Sequence, residues 1–211
     1  PSSSSAASDV YKRQMQARAI FEAIVQVSKE GISVVPEIMI PLVSAKREVE
    51  LVKKRVASVA SQVGLETSAE VNYKLGVMVE TPRAALRASD IAMNSEFLSF
   101  GTNDLTQMAY GLSRDDAGKF MSQYVQQGVF QEDPFHILDP EGVGELVKLG
   151  ADRARSIKPN ITLSICGEHG GNPESIAFCH QLGFHYVSCS PYRVPVAKLA
   201  AAQVAISTQI S

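Results

Sequence analysis

The chain has 211 residues, a formal net charge of −2 and 45% hydrophobic residues. These values allow one substantial core and give no indication of binding to nucleic acid or to an anionic membrane. No apolar run approaches the roughly 20 residues of a membrane span. The three cysteines lack a Cys-x-x-Cys pair, which favours a reducing compartment. We therefore expect a cytoplasmic protein, with a plastid location left open.

Residues 1–14 begin with a run of serines and show no apolar period. We expect them to form a leader outside the domain, either disordered or left by cloning or sequence assembly; a transit-peptide remnant is the alternative. The domain is expected over residues 15–211. Its first helix is predicted at residues 15–30, where apolar residues recur at helical spacing before Gly31.

The rest of the chain alternates short apolar runs with amphipathic stretches. Strands are predicted at residues 34–42, 75–80, 91–100, 161–166 and 186–189. Helices are predicted at residues 44–63, with Ser44 as N-cap, and at 82–88, 105–110, 140–157, 173–182 and 195–206. Residues 111–138 form a long irregular connection, which is often functional in a compact domain.

This alternation predicts an α/β fold with a parallel sheet. A closed parallel barrel has eight strands, and the chain offers five. We expect either a small open sheet or a barrel that lacks its first three β/α units. In the second case both edge strands would be unprotected, and the chain alone should be unstable as a monomer.

Polar side chains follow two neighbouring strands at the points where they end. Glu80 ends one strand, and the Gly-Thr-Asn-Asp turn at residues 101–104 ends the next. Such a turn offers backbone N–H groups, an amide and a carboxylate, which can bind an oxyanion and help hold a divalent cation. Glu80 and Asp104 would suit Mg²⁺, which takes one or two protein carboxylates. The alternative is that both carboxylates only cap the following helices.

A third strand ends at Cys166, directly before a glycine-rich turn that contains His169. An accessible thiol in such a turn could act as acid, base or nucleophile. The alternative for a lone cysteine is a small buried core residue, which is how we interpret Cys179 and Cys189.

A structural zinc site must also be considered. Its ligands would come from Cys166, His169, Cys179, His180, His185 and Cys189. Only Cys166 and His169 have the close spacing of a zinc ligand pair, so we do not expect zinc.

Four segments together resemble the pyruvate, phosphate dikinase branch of the phosphoenolpyruvate (PEP)-utilising enzymes. They read VPEIMIPL (35–42), GVMVETPR (76–83), SFGTNDLTQ (99–107) and CGEHGG (166–171). The resemblance covers about residues 15–206. The Gly-Thr-Asn-Asp turn is shared with PEP synthases and with enzyme I of the sugar phosphotransferase system, whereas CGEHGG is similar to the dikinases alone.

The resemblance implies a parallel (β/α)8 TIM barrel of which about the last five β/α units are present. It implies that Glu80 and Asp104 hold Mg²⁺ and that Cys166 exchanges the proton at the methyl carbon of pyruvate. The residues that it assigns to binding of PEP or pyruvate are Glu80, Gly101, Thr102, Asn103 and Asp104. The metal would act as a Lewis acid that stabilises the enolate.

In this family a phosphohistidine on a separate domain exchanges its phosphoryl group with pyruvate. The whole phosphotransferase converts ATP, phosphate and pyruvate to AMP, diphosphate and PEP. The implied partners are therefore the phosphohistidine and ATP-binding domains and a second copy in a homodimer. The chain lacks those domains and the family's two phosphate-binding arginines, so we expect it to be inactive alone. The alternatives are a PEP synthase or enzyme I relative, a non-catalytic dimerisation module, and a metal-dependent lyase of the aldolase type.

Overall fold

The computed structural model describes the backbone of residues 3–210 and the side chains of residues 12–207. Its helices are α1 (Ser3–Lys29), α2 (Lys46–Thr67), α3 (Pro82–Leu86), α4 (Ala88–Ala92), α5 (Thr102–Tyr110), α6 (Arg114–Ala117), α7 (Met121–Gln126), α8 (Val143–Ile157), α9 (Pro173–Gln181) and α10 (Val194–Ile210). Its strands are β1 (Glu37–Ile40), β2 (Lys74–Val79), β3 (Phe97–Gly101), β4 (Thr162–Cys166) and β5 (Tyr186–Val187). Short 3-10 turns at Glu168–Gly171 and Pro191–Arg193 follow β4 and β5.

The five strands form one parallel sheet in the order β1-β2-β3-β4-β5. A doubly wound sheet would reverse its strand order at a switch point, whereas a barrel adds each strand beside the previous one. The order in this sheet is that of a barrel segment. The α/β class and the parallel sheet predicted from the sequence are confirmed.

One face of the sheet forms the main core. Val77, Leu98 and Leu163 are fully buried on this face, and α8 packs against α3 and α4 nearby. Side chains alternate between the two faces along a strand, so the residues next to these in each strand point to the opposite face. This second face carries Ser99 and Ser164, which lie side by side in the register of β3 and β4.

The sheet is strongly curved. The hydroxyl of Tyr186 in β5 donates to Oε2 of Glu37 in β1 at 3.3 Å, although these strands are the two edges of the sheet. Lys74 of β2 lies 3.5 Å from the other oxygen of Glu37. A flat sheet of five strands would hold its edges too far apart for this contact, since neighbouring strands are about 4.8 Å apart.

Several predicted strands differ from the structure at their ends, and β1 and β3 differ most. β1 has four residues, Glu37–Ile40, because Pro36 and Pro41 at its ends have no N–H for the ladder. β3 begins at Phe97, since Ile91 and Ala92 are buried in α4, so the strand predicted from residue 91 was wrong over its first part. A short apolar run can be a buried strand or a buried helix, and its pattern alone does not decide between them.

The starts of several helices also differ, among them those of α1, α2, α5 and α8. The N-cap of α2 is Ala45 and not Ser44, and the carboxylate of Glu48 accepts the N–H groups of both residues at 2.8 Å. α1 begins at Ser3, so this helix continues through residues set apart as a leader; residues 1–2 lie outside the described range. The separation of residues 1–14 from the domain stays a prediction. No helix in the described range is both long and apolar enough to cross a membrane.

The irregular connection at residues 111–138 contains α6 and α7. Ala117, Met121 and Phe135 form a small buried cluster of their own within it. The segment is therefore more ordered than the irregular connection predicted from the sequence.

The outer edges of β1 and β5 have no strand partner among the described residues. Beside the first edge, Val35 is 52% exposed, and at the second Tyr186 is 41% exposed. Because unprotected edges pair with other chains, we expect the 211-residue chain to self-associate at micromolar concentration in sedimentation velocity. Val35→Lys should weaken this association. A monomer with one sharp thermal transition would contradict the prediction.

Candidate functional site

The carboxyl ends of three adjacent strands meet at one edge of the sheet. The register places Gly101 of β3 opposite Cys166 of β4, and Glu80 directly follows β2. The structure therefore brings together Glu80, the turn at residues 101–104 and Cys166. In parallel α/β folds this edge is where ligands bind.

Glu80 is only 3% exposed. The N–H of Leu42 donates to its Oε1 at 2.6 Å. Burial raises the pKa of the Glu80 carboxyl, the N–H of Leu42 opposes this, and the neighbouring Asp104 raises it further. Leu42 itself has a φ of 53°, which is uncommon for a residue other than glycine. The turn after β1 is therefore held in a costly conformation at the point where it meets Glu80.

Asp104 lies in the first turn of α5, close enough to Glu80 for the two carboxyl groups to interact. Its Oδ1 accepts a hydrogen bond from Nε2 of Gln107 at 3.0 Å. Neither carboxylate is a helix N-cap, because Thr81 caps α3 through Ala84 N–H and Gly101 precedes α5. The capping alternative considered from the sequence is therefore wrong for both residues.

Gly101 lets the turn approach Glu80 closely. A Cβ atom at this position would lie 2.8 Å from both Cβ and Oε2 of Glu80. Contacts this short do not occur between packed side chains, so residue 101 must be glycine for Glu80 to keep its position.

We expect Gly101→Ala to destabilise the chain by about 1–3 kcal/mol, the cost of inserting a methyl group into a packed site. The free energy of unfolding in urea would measure this effect. Gly118→Ala is the matched control, because its Cβ would meet no atom closer than 3.8 Å. Equal stability of the two variants would contradict the close approach described above.

Cys166 is half-buried, and its thiol donates to the carbonyl oxygen of Phe100 at 3.6 Å. Burial raises the pKa of this thiol, a hydrogen bond with Ser99 lowers it, and the charge of Glu80 raises it again. The thiol is therefore protonated at neutral pH and can serve as a proton donor. Cys179 is fully buried, with its pKa raised by burial to about 12.

Thr102 and Asn103 connect the turn after β3 to the turn after β4. The hydroxyl of Thr102 lies 3.2 Å from the carbonyl oxygen of Cys166, and Oδ1 of Asn103 accepts the N–H of Glu168 at 3.1 Å. Gly167 permits this contact with its φ of 107°, since a Cβ there would lie 2.8 Å from Oδ1 of Asn103. Both side chains therefore have a structural task besides the substrate binding implied for them.

His169 is fully buried between three segments, a position that the sequence analysis missed. Its Nε2 lies 3.0 Å from the carbonyl oxygen of Pro134 and its Nδ1 2.7 Å from the hydroxyl of Thr102. Burial lowers the pKa of His169, although the contact with Pro134 opposes this. Because a carbonyl only accepts, the neutral ring carries its proton on Nε2 and accepts the Thr102 hydroxyl at Nδ1. The sequence offered only a histidine beside glycines as a signal.

A cavity of about 270 Å³ opens beside the turn. It is lined by Asn103, Gly167, Glu168, Ser188, Cys189, Ser190 and Arg193. Among the described side chains, no group of three or more His, Cys, Asp or Glu residues is placed to share a metal ion. A cation at Glu80 and Asp104 would therefore take its other ligands from water and substrate.

A curved parallel sheet with polar side chains gathered at the carboxyl ends of its strands is typical of α/β domains that bind small ligands at this edge. Residues 5–206 match the family described as PEP-utilising enzyme, PEP-binding domain, and the chain belongs to this family. This confirms the resemblance noted in the sequence.

The curated relatives include pyruvate, phosphate dikinases from plants and bacteria, of which three are described below. The chloroplastic enzyme of Mesembryanthemum crystallinum is 54% identical over 191 residues, 90% of this chain and 20% of the relative. The enzyme of Clostridium symbiosum is 53% identical over 197 residues, 93% of this chain and 22% of the relative. The enzyme of Rhizobium meliloti (strain 1021) is 55% identical over 195 residues, 92% of this chain and 22% of the relative. The chain thus spans about a fifth of the length of these relatives.

Among solved structures, a citrate lyase from Burkholderia xenovorans matches with a TM-score of 0.54 and 16% sequence identity. The match covers 82% of this chain and 52% of the lyase chain. At this identity the likeness concerns the fold alone.

Proposed function

We propose that this chain is the PEP- and pyruvate-binding part of a pyruvate, phosphate dikinase. The observation that carries the proposal is the meeting of Glu80, residues 101–104 and Cys166 at one edge of the sheet. The whole enzyme would convert ATP, phosphate and pyruvate to AMP, diphosphate and PEP. The identity of more than half of the aligned residues to three such dikinases supports this assignment.

The carboxylates of Glu80 and Asp104 fit a hard divalent cation such as Mg²⁺. They lie against each other, and neither forms an ion pair with a described Lys, Arg or His side chain. Two like charges at a buried position are costly together unless a cation or a proton compensates them. When bound, Mg²⁺ would supply Lewis-acid stabilisation of negative charge on the substrate oxygens.

The turn at residues 101–104 would orient the substrate. The first backbone N–H groups of α5 have no partner within the helix, and they suit a carboxylate or phosphate group. Thr102 and Asn103 are fixed by their contacts to the turn after β4, so these N–H groups are held in place before substrate arrives.

Cys166 would transfer the proton at the methyl carbon of pyruvate. In the direction of pyruvate formation, the S–H bond breaks, a C–H bond forms at the methylene carbon of enolpyruvate, and a thiolate remains. In the reverse direction the thiolate takes the proton back. A thiol whose pKa is raised by burial is suited to this role because it holds its proton until the enolate is in place.

The remaining partners would be those that the full-length dikinase provides. They would be a phosphohistidine domain, an ATP-binding domain and a second copy in a homodimer. The compartment would be the cytoplasm or a plastid; four relatives are described as chloroplastic. The isolated chain should bind ligand without completing the reaction.

Calorimetric titration of the chain with oxalate, a mimic of the pyruvate enolate, tests the proposal. Binding is expected with Mg²⁺ present and not without it. Absence of oxalate binding under both conditions would contradict the proposal and favour a non-catalytic module.

A further inference from the structure

Gln107 uses both ends of its side-chain amide. Its Nε2 donates to Oδ1 of Asp104 at 3.0 Å, and its Oε1 accepts the backbone N–H of Arg114 at 3.0 Å. Gln107 ends the motif at residues 99–107, but the motif gave no indication of this bridge. The side chain therefore joins a proposed cation ligand directly to the segment at residues 111–138.

The backbone of Gln107 strengthens the same link. Its carbonyl oxygen accepts the N–H groups of Gly111, which ends α5 with a φ of 63°, and of Leu112 at 3.0 Å. Gln107 therefore holds the chain in place where it leaves α5. Its main-chain oxygen binds residues 111–112, and its side chain binds Arg114.

The segment returns to the site beyond Arg114. Its guanidinium lies 3.9 Å from the carboxylate of Glu168, whose own N–H binds Asn103. This ion pair is long and exposed, and such pairs contribute little. His169 links the same segment to Thr102, whereas the bridge through Gln107 joins it by hydrogen bonds to the Asp104 carboxylate.

The chemistry of an amide suits this position. A lysine beside Asp104 would neutralise its charge and compete with a cation, whereas a neutral amide donor orients the carboxylate and leaves its charge intact. Groups that hold metal ligands by hydrogen bonds typically change metal affinity 10–100-fold when they are removed.

We propose that Gln107 is a positioning residue that orients the Asp104 carboxylate for the cation and couples the cation to the order of residues 111–138. The inference rests on the proposed function, because it takes Asp104 as a cation ligand. Coupling between two sites is reciprocal. A cation that binds more tightly when Gln107 orients the Asp104 carboxylate must therefore also stabilise the hydrogen bond between Gln107 and the segment at residues 111–138.

The test replaces Gln107 by methionine, which keeps the length of the side chain and removes both hydrogen bonds. Gln123→Met is the matched control, since Gln123 is exposed in α7 and away from the site. Two quantities are measured in the 211-residue chain: the affinity for Mn²⁺ with oxalate, by electron paramagnetic resonance, and hydrogen–deuterium exchange over residues 112–118.

Gln107→Met is expected to weaken Mn²⁺ binding about 10–100-fold and to speed exchange at Arg114. In the parent chain Mn²⁺ with oxalate should slow that exchange, and in the variant it should not. Gln123→Met should match the parent in both measurements. If Gln107→Met bound Mn²⁺ as the parent does and left hydrogen–deuterium exchange unchanged, this inference would be overturned and the proposed function would not. A parent chain that binds no Mn²⁺ would overturn the proposed function and the coupling together.

Discussion

Glu80→Gln or Asp104→Asn is expected to abolish Mg²⁺-dependent binding of oxalate. Each variant keeps the shape of the side chain and removes one of the two negative charges that would hold the cation. Glutamine at position 80 can still accept the N–H of Leu42, and asparagine at 104 can still accept from Gln107. The fold should therefore survive while the cation site is lost.

The same variants should leave thermal stability unchanged or raise it. Each removes a like-charge contact at a position where Glu80 is 3% exposed, and functional sites often carry such destabilising pairs. Calorimetric titration with oxalate and thermal denaturation measure the two effects side by side. Glu174→Gln is the control, since this carboxylate is exposed in the first turn of α9. If both site variants bound oxalate as the parent does, the assignment of the cation ligands would be wrong.

Cys166→Ala is expected to stop exchange of the pyruvate methyl protons with solvent and to leave Mg²⁺-dependent binding of oxalate nearly intact. The thiol is the group that we propose to transfer the proton, and it is not assigned to the cation. The exchange requires a complete site, so we would measure it by proton NMR in a chimera. In this chimera the chain replaces the matching part of the dikinase from Clostridium symbiosum.

Cys179→Ala is the control for this experiment. Cys179 is 1% exposed within the main core, so its truncation should cost roughly 1 kcal/mol or more of stability. It should not change the exchange rate per folded molecule. Equal loss of exchange and oxalate binding in Cys166→Ala would indicate a structural role for that thiol.

The arrangement of the candidate site was largely predictable because its residues stand at the ends of strands. An apolar run followed by a polar or glycine-rich turn marks the carboxyl end of a parallel strand, and all such ends lie on one edge of the sheet. Glu80, Asp104 and Cys166 could therefore be placed together from the sequence. The hydrogen bonds that the carboxylates of Glu80 and Asp104 accept come from Leu42 and Gln107. The periodicity of the sequence does not predict such contacts.

The misplaced elements have a different cause. The start of β3 was wrong because Ile91 and Ala92 are buried in a short helix, where they are as apolar as strand residues. The role of His169 was missed because its partner Pro134 is 35 positions earlier in the chain. Contacts over such sequence distances depend on tertiary packing, which local propensity does not encode.

The buried imidazole of His169 has a consequence for how this domain can be inherited. Because the ring contacts Thr102 and Pro134 at once, the segment at residues 111–138 is not an insertion that can be exchanged alone. Homologous recombination with a crossover between positions 102 and 169 would separate residues that share one hydrogen-bond chain. We expect positions 102 and 169, whose side chains meet, to co-evolve, and useful crossover points for gene shuffling to lie outside the interval that they bound.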